Sequence, residues 1–108
     1  MISLNEVLAI HDILIETFGG AKGIRDYAGL ESAISRPFQT FDGQELYPEG
    51  VDKASALFES IISNHPFIDG NKRTAYVLMR LFLKQEMMDI DASEDDKFDF
   101  VLRSAKVN

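Results

Sequence analysis

The sequence HPFIDGNKRT, residues 65–74, is the stretch around which the rest of the chain is organised. Nowhere else do a histidine, a carboxylate, a Gly-Asn pair and two cations fall within ten residues. The run that follows, 75–84, contains no helix breaker, so the turn at Gly70 is predicted to open a helix. Asn64 and Pro66 interrupt the helical pattern on the other side. Residues 65–70 are therefore expected to form a loop between two helices.

Two cations lie at the start of that second helix. Lys72 and Arg73 fall in its first turn, where the helix dipole favours negative charge. Their position makes sense if they bind an anion together with the free backbone N–H groups of Gly70, Asn71 and Lys72, because a helix N-terminus is a natural phosphate site. These four residues are therefore predicted to bind phosphate.

The other two polar side chains of the stretch supply metal and acid–base chemistry. Asp69 carries a carboxylate, and Mg²⁺ usually binds through one or two carboxylates together with substrate phosphates. His65 can take a proton from a hydroxyl group near neutral pH. The residues together indicate a phosphoryl or nucleotidyl transfer site. The alternative, an ordinary loop between helices, leaves the two first-turn cations unexplained.

Length and composition limit the classes of protein that remain. The 108 residues fit a single domain, 1–108, and the apolar fraction of 45% supports a folded core. The absence of cysteine suits a reducing cytoplasm. No signal peptide or membrane-length apolar run is visible, so a cytoplasmic protein without membrane contact is expected. The formal net charge of −7 argues against direct nucleic-acid binding and favours a neutral or basic protein partner.

Apolar spacing and capping signals predict five helices and no repeats. Ser3 and Glu6 form a capping-box pattern at the first start, and Gly19 and Gly20 end that helix. The fourth helix is apolar almost all round and is expected to be central. Residues 86–92 are interpreted as a polar connection. The predicted ranges are 4–18, about 30–36, 51–64, from the turn at residue 70 to about 84, and 93–105.

Two loop regions separate the first three predicted helices. Within the first, Arg25 and Asp26 are expected either to pair with each other or to face a partner. In the second, residues 37–50, Asp42-Gly43 is a strong hairpin-turn signal, so a two-stranded flap is predicted there. Phe38 belongs either to the core or to a functional loop. The fold class is thus an all-α helical bundle with a possible short β-hairpin flap.

The dipeptide His11-Asp12 inside the first helix allows a metal-site hypothesis. It is similar to the dipeptide of HD-type metal hydrolases, but such sites need further histidine ligands and the chain contains one other histidine. We therefore interpret His11 as an exposed helical residue.

On residues 65–71 the chain resembles the Fic/Doc family, whose signature begins His-Pro-Phe-x-Asp/Glu-Gly-Asn. Residues 23–26 and 29–37 are similar to the leading segment of death-on-curing (Doc) toxins. The resemblance implies the Fic fold, ATP as substrate and Mg²⁺ as metal ion. It also implies His65 as the base that deprotonates a target hydroxyl, Asp69 as the Mg²⁺ ligand, and Gly70, Asn71, Lys72 and Arg73 as phosphate-binding residues. Pro66 and Phe67 are expected to be structural, and Ile68 is expected to pack.

Three positions after the asparagine indicate the subclass. AMP-transferring Fic proteins continue Gly-Arg-x-x-Arg, whereas this chain has Lys72, Arg73 and then Tyr76 at the second arginine. Asn-Lys-Arg-Thr is the form that Doc proteins have. A lysine in place of glycine fills space and adds charge beside the nucleotide's phosphate chain, and loss of the second arginine removes a contact to that chain.

The resemblance to Doc proteins therefore implies a kinase toxin. It would transfer the terminal phosphate of ATP to elongation factor Tu, block translation, and be neutralised by an antitoxin protein. Two alternative functions remain open. One is AMP transfer to a protein hydroxyl, and the other is an inactive Fic-fold module that only binds partners.

Overall fold

The computed structural model describes residues 2–88, and the predicted helix 93–105 lies outside them. The described chain is helical with one small antiparallel hairpin, which confirms the predicted fold class. Among residues 2–88, no helix is both long enough and apolar enough to span a bilayer. The elements are α1 (Leu4–Phe18), α2 (Tyr27–Ser35), a 3₁₀ turn (Arg36–Phe38), β1 (Thr40–Phe41), β2 (Gln44–Glu45), α3 (Gly50–Asn64) and α4 (Asn71–Met88).

Helix α1 begins and ends where the sequence predicted. The hydroxyl of Ser3 accepts a bond from the backbone N–H of Glu6, and the Glu6 carboxylate accepts one from the backbone N–H of Ser3, both at 3.2 Å. This is the predicted capping box. Gly19 ends the helix with φ +91°, a backbone conformation that glycine adopts at little cost.

Helix α2 begins three residues earlier than predicted. The carboxylate of Asp26 accepts a 2.9 Å bond from the N–H of Gly29, so Asp26 is the N-cap and Tyr27 the first helical residue. The helix ends at Ser35, within the predicted range. Residues 36–38 continue as a 3₁₀ turn, because proline needs no N–H partner at the start of such a turn.

The core lies mainly between α3 and α4, with α1 and α2 packed beside them. The prediction that α4 is the central helix is supported, since it supplies the largest group of side chains with almost no solvent exposure. Helix α4 also continues to Met88, so the predicted polar connection starts later than residue 86. Val51, in the first turn of α3, is 64% exposed. The buried side chains of α4 include Ala75, Val77, Leu78, Leu81 and Phe82.

The predicted hairpin is present between α2 and α3. Asp42 and Gly43 have φ values of +54° and +78°, as the two central residues of a type I′ turn require. Lys53 of α3 ties the hairpin to the helices, because its ammonium group donates to the Glu45 carboxylate at 2.8 Å and to the carbonyl of Tyr47. Phe38 takes an intermediate position: it is 36% exposed, and its ring lies 6.1 Å from that of Phe82.

Candidate active site

His65 terminates α3 in a left-handed backbone conformation, with φ 49° and ψ 55°. A residue other than glycine in this region costs about 1–2 kcal/mol, so the surroundings must hold it. The guanidinium of Arg25 donates to the carbonyl of His65 at 2.7 Å and to that of Asn64 at 2.8 Å. Arg25 thus satisfies two carbonyls at the end of α3, and the His65 side chain is exposed there.

The segment that precedes α2 forms a support for the site loop. The backbone N–H groups of Arg25 and Asp26 both donate to the carbonyl of Pro66, at 2.7 and 3.0 Å. Ile24 and Phe67 form an isolated antiparallel bridge beside them. Arg25 and Asp26 therefore do not pair with each other, which was one of the two expectations for them. They hold the loop on which His65 lies.

The side chain of Asn71 is used inside the loop. Its amide nitrogen donates to the carbonyl of Phe67 at 2.8 Å, and its oxygen accepts from the N–H of Phe67 at 2.9 Å. Asn71 is 4% exposed and Phe67 is fully buried, so the expected core role of Phe67 is confirmed. What Asn71 leaves for a ligand is its backbone N–H rather than its side chain.

His11 was expected to be an exposed residue, and this was wrong. It is 2% exposed, its Nε2 lies 2.9 Å from the carbonyl oxygen of Asp69, and its ring stacks on that of Phe67 at 3.8 Å. His11 lies on the same helical stripe as Val7, Leu14 and Ile15, which are all buried. That spacing was a signal that the histidine faces the protein interior.

The carboxylate of Asp69 accepts two backbone hydrogen bonds, from Ala21 at 3.1 Å and from Gly70 at 2.9 Å. A carboxylate has about four acceptor positions, so others remain for a ligand. Within residues 2–88 no group of three or more metal-binding side chains occurs. One exposed carboxylate fits Mg²⁺ that arrives with substrate phosphates, rather than a metal held by protein alone. Ile68 beside it is 54% exposed, which corrects the expectation that it packs.

The N-terminus of α4 opens onto the same place. The N–H of Thr74 donates to the carbonyl of Gly70 at 3.0 Å, so the N–H groups of residues 71–73 precede the first intrahelical bond. Among residues 2–88 neither Lys72 nor Arg73 has a carboxylate partner within 4.0 Å. The Arg73 guanidinium lies 4.3 Å above the ring of Phe18. Two cations and three backbone N–H groups without an intrahelical partner thus lie at the same helix end, an arrangement suited to an anion.

A cleft of about 550 Å³ brings the predicted site residues together. One side is polar and carries the histidine, the carboxylate and the α4 N-terminus, and the other side is apolar. Sequence reasoning identified the polar side but missed Arg25 and His11, which hold it in place from 40 and 58 residues away. The lining residues are His65, Asp69, Gly70, Asn71, Lys72 and Arg73, with Leu14, Ile15, Gly19, Ile62 and Ile68.

Known proteins include relatives with similar sequences. The family model described as the Fic/DOC family matches residues 1–83. Toxin Doc of Mycolicibacterium smegmatis is 39% identical over 101 residues, covering 85% of this chain and 78% of that protein. Protein kinase doc of Escherichia phage P1 is 30% identical over 89 residues, covering 82% of this chain and 70% of that protein. No solved structure was found to match the chain significantly.

Proposed function

Since the chain belongs to the Fic/DOC family, we propose that it is the toxin of a toxin–antitoxin pair and transfers the terminal phosphate of ATP to a protein hydroxyl. One observation carries this proposal: a single cleft contains an exposed histidine, an exposed carboxylate and a helix N-terminus flanked by two cations. Positioning and charge stabilisation at the phosphates are the main requirements of phosphoryl transfer.

The phosphates of ATP would lie at the start of α4. The backbone N–H groups of residues 71–73 make no intrahelical bond, and Lys72 and Arg73 add positive charge that no carboxylate of residues 2–88 neutralises. Asp69 would hold Mg²⁺ through the acceptor positions that its two backbone bonds leave. When bound, the metal ion neutralises charge on the phosphate oxygens.

His65 would act as the general base. Its imidazole takes the proton of the target hydroxyl, and the oxygen forms a bond to the terminal phosphorus. The bond between that phosphorus and the bridging oxygen breaks, and ADP leaves with the electron pair. The structure around His65 favours this role. Two hydrogen bonds from Arg25 hold the backbone carbonyls of residues 64 and 65, while the imidazole ring of His65 stays exposed.

The choice between phosphate and AMP transfer depends on two positions of α4. Lys72 adds bulk and charge where AMP-transferring Fic proteins have glycine. At the second arginine position Tyr76 stands instead, and its hydroxyl accepts a 3.2 Å bond from Arg80. Both features support transfer of the terminal phosphate, as does the name of the phage relative, a protein kinase. AMP transfer is the competing outcome of the test below.

Two protein partners belong to the proposal. The target would be elongation factor Tu, whose modification stops translation, and the hairpin 40–45 would align its acceptor segment by strand addition. The second partner would be an antitoxin that binds the toxin, which fits the relative named Toxin Doc. An inactive binding module is less well supported, because His65, Asp69, Asn71, Lys72 and Arg73 all line the cleft.

The decisive experiment uses ATP labelled on either the terminal or the innermost phosphate, with elongation factor Tu as acceptor. Transfer of the terminal label alone is expected. Transfer of the innermost label alone would replace the kinase proposal by AMP transfer. His65→Ala should lower transfer by about 10²–10⁴-fold, which is the usual contribution of a general base. Ser63→Ala, at an exposed position on the same helix end, is the matched control and should transfer normally.

A further inference from the structure

His11 is a buried titratable residue that the proposed transfer does not use. Its ring is 2% exposed and lies parallel to that of Phe67, with a centroid distance of 3.8 Å and an interplanar angle of 6°. Phe67 is fully buried, so the stack fixes the direction in which the imidazole nitrogen points. That nitrogen, Nε2, lies 2.9 Å from the carbonyl oxygen of Asp69. A carbonyl oxygen can only accept a hydrogen bond, so Nε2 carries the proton.

The peptide that accepts this bond also donates one. The N–H of Gly70 belongs to the same peptide group as the carbonyl of Asp69, and it donates to the Asp69 carboxylate at 2.9 Å. No peptide bond among residues 2–88 is cis, and in a trans peptide the carbonyl and the N–H point in opposite directions. His11 therefore holds the inner side of a peptide whose outer side holds the carboxylate.

From this arrangement we propose that His11 is a positioning residue, which orients the Asp69 carboxylate through the Asp69–Gly70 peptide. The inference rests on the proposed function, since it names what sets the geometry of that site. A hydrogen bond to a carbonyl also polarises its amide and strengthens the N–H as a donor. The imidazole thus acts on the carboxylate without touching either the carboxylate or the substrate.

The position of this peptide needs such a restraint because glycine follows it. Gly70 has φ +77°, and glycine accepts both signs of φ, so the backbone itself gives little resistance to a flip of the peptide. A flipped peptide would turn the Asp69 carbonyl outward. Its oxygen would then face the carboxylate and the anion site, and both would lose a donor. The bond from His11 stabilises the productive orientation against this alternative.

Two substitutions separate this role from simple packing. His11→Phe keeps an aromatic ring to stack on Phe67 but has no donor. His11→Gln loses the ring stack but carries an amide N–H that reaches about as far as Nε2. If His11 only fills space, phenylalanine is the better replacement. If it orients the peptide, glutamine is the better one.

The first readout needs no nucleotide. In ¹⁵N–¹H spectra of the free protein, the amide resonances of Gly70 and Ala21, the two donors to the carboxylate, should shift or broaden in His11→Phe and return towards wild type in His11→Gln. The second readout is the dissociation constant of a non-hydrolysable ATP analogue with Mg²⁺. It should rise by about 10–100-fold in His11→Phe, as for other residues that orient a metal ligand, and recover in His11→Gln.

A matched control measures the effect of lost core packing alone. Phe82 is also 2% exposed, but it lies beside Phe38 and does not line the cleft. Phe82→Leu should lower Tm without moving the Gly70 amide or the Mg²⁺-dependent affinity. Should His11→Phe fold poorly, His11→Asn replaces it in the comparison with His11→Gln, because the shorter amide does not reach the Asp69 carbonyl.

Unchanged Gly70 and Ala21 resonances in His11→Phe, together with a wild-type dissociation constant, would overturn the proposal. Restoration by phenylalanine but not by glutamine would overturn it as well. If the wild-type protein binds no nucleotide, the proposed function fails, and the amide resonances alone still decide the role of His11.

Discussion

The guanidinium of Arg25 donates a 2.7 Å hydrogen bond to the backbone carbonyl of His65, and this contact fixes the end of α3. His65 would otherwise have little reason to stay in the left-handed region, where a side chain costs about 1–2 kcal/mol. The contact joins residues that are 40 positions apart. It shows that the conformation of the proposed base is set by a residue outside its own loop.

Arg25→Ala should therefore reduce transfer without removing the nucleotide site. We expect kcat to fall while the dissociation constant of ATP stays close to wild type, since Arg25 does not line the cleft. Loss of the bonds should also lower the free energy of unfolding by about 1–3 kcal/mol. Urea unfolding and steady-state transfer measure the two effects. Arg25→Lys should restore only part of the lost activity and stability, because an ammonium group lacks the planar fork of the guanidinium. Full activity in Arg25→Ala would contradict the assigned role.

The identity of the transferred group should depend on two side chains of α4. In the double variant Lys72→Gly with Tyr76→Arg, label from the innermost phosphate of ATP should appear on the acceptor, since the changes restore the pattern of AMP-transferring Fic proteins. Lys72→Gly alone should lower terminal-phosphate transfer by about 10²-fold through loss of charge stabilisation. Tyr76→Phe is the control for the loss of the hydroxyl. Terminal-phosphate transfer by the double variant at the wild-type rate would show that these residues do not set nucleotide orientation.

Asp69→Asn should remove the dependence of nucleotide binding on Mg²⁺. The amide oxygen can still accept from the N–H of Gly70, but the amide nitrogen cannot accept from Ala21, and the negative charge is lost. We expect Mg²⁺-dependent affinity, measured by calorimetry with an ATP analogue, to fall by about 10–100-fold. Asp12→Asn changes an exposed carboxylate of α1 outside the cleft and should behave as wild type. Equal Mg²⁺ dependence in both variants would exclude Asp69 as the ligand.

A surface ion pair provides a pH-dependent prediction. The ammonium of Lys22 lies 2.6 Å from the Glu16 carboxylate, and this hydrogen bond and its charge hold the pKa of Glu16 below its ordinary value of 4.5. A carboxyl with a lowered pKa stabilises the fold above its ordinary pKa, and this contribution is lost as pH falls through the lowered value. Glu16→Gln should therefore lower Tm slightly at pH 7 and not at all in strong acid. Because the pair is exposed, added salt should also reduce the difference. A difference that grows towards low pH would contradict this assignment.

The hairpin should affect the protein substrate and not ATP. Gly43 has φ +78° and no atom within 4 Å of the place where a Cβ would lie, so Gly43→Ala adds backbone strain of about 1–2 kcal/mol without a clash. We expect the KM for the protein acceptor to rise while the ATP dissociation constant is unchanged. Asp42→Asn is the control, because asparagine tolerates the left-handed region. An unchanged KM in Gly43→Ala would remove the hairpin from the proposed acceptor site.

The parts of the fold that the sequence predicts well depend on residues close together in the chain. Ser3 with Glu6, Asp42 with Gly43, and Gly70 with Thr74 each act within four positions, so their chemistry is readable locally. The burial of His11 was readable from its helical spacing with Val7, Leu14 and Ile15, but its partner Asp69, 58 residues away, was not. A single sequence holds no signal for that distance.

The candidate site divides in the same way. The residue types in 65–73 predict a phosphoryl or nucleotidyl transfer site, and the structure brings all six proposed site residues to one cleft. The use of each group was less predictable. Asn71 was predicted to bind phosphate, and its side-chain amide bonds to both the N–H and the carbonyl of Phe67. Ile68 was expected to pack and is 54% exposed.

The pairing of the site loop with residues 23–26 and with α1 has a consequence for the synthesis of the protein. The ribosome makes these supports first, and the loop reaches them only after α3 and the start of α4 have emerged. A growing chain therefore has no assembled cleft until the loop and the start of α4 have emerged. Molecules that lose their tertiary packing lose the cleft in the same step, since no short segment contains it. On the proposed function, a cell that produces the chain is exposed to its activity only from molecules in which these segments have folded together.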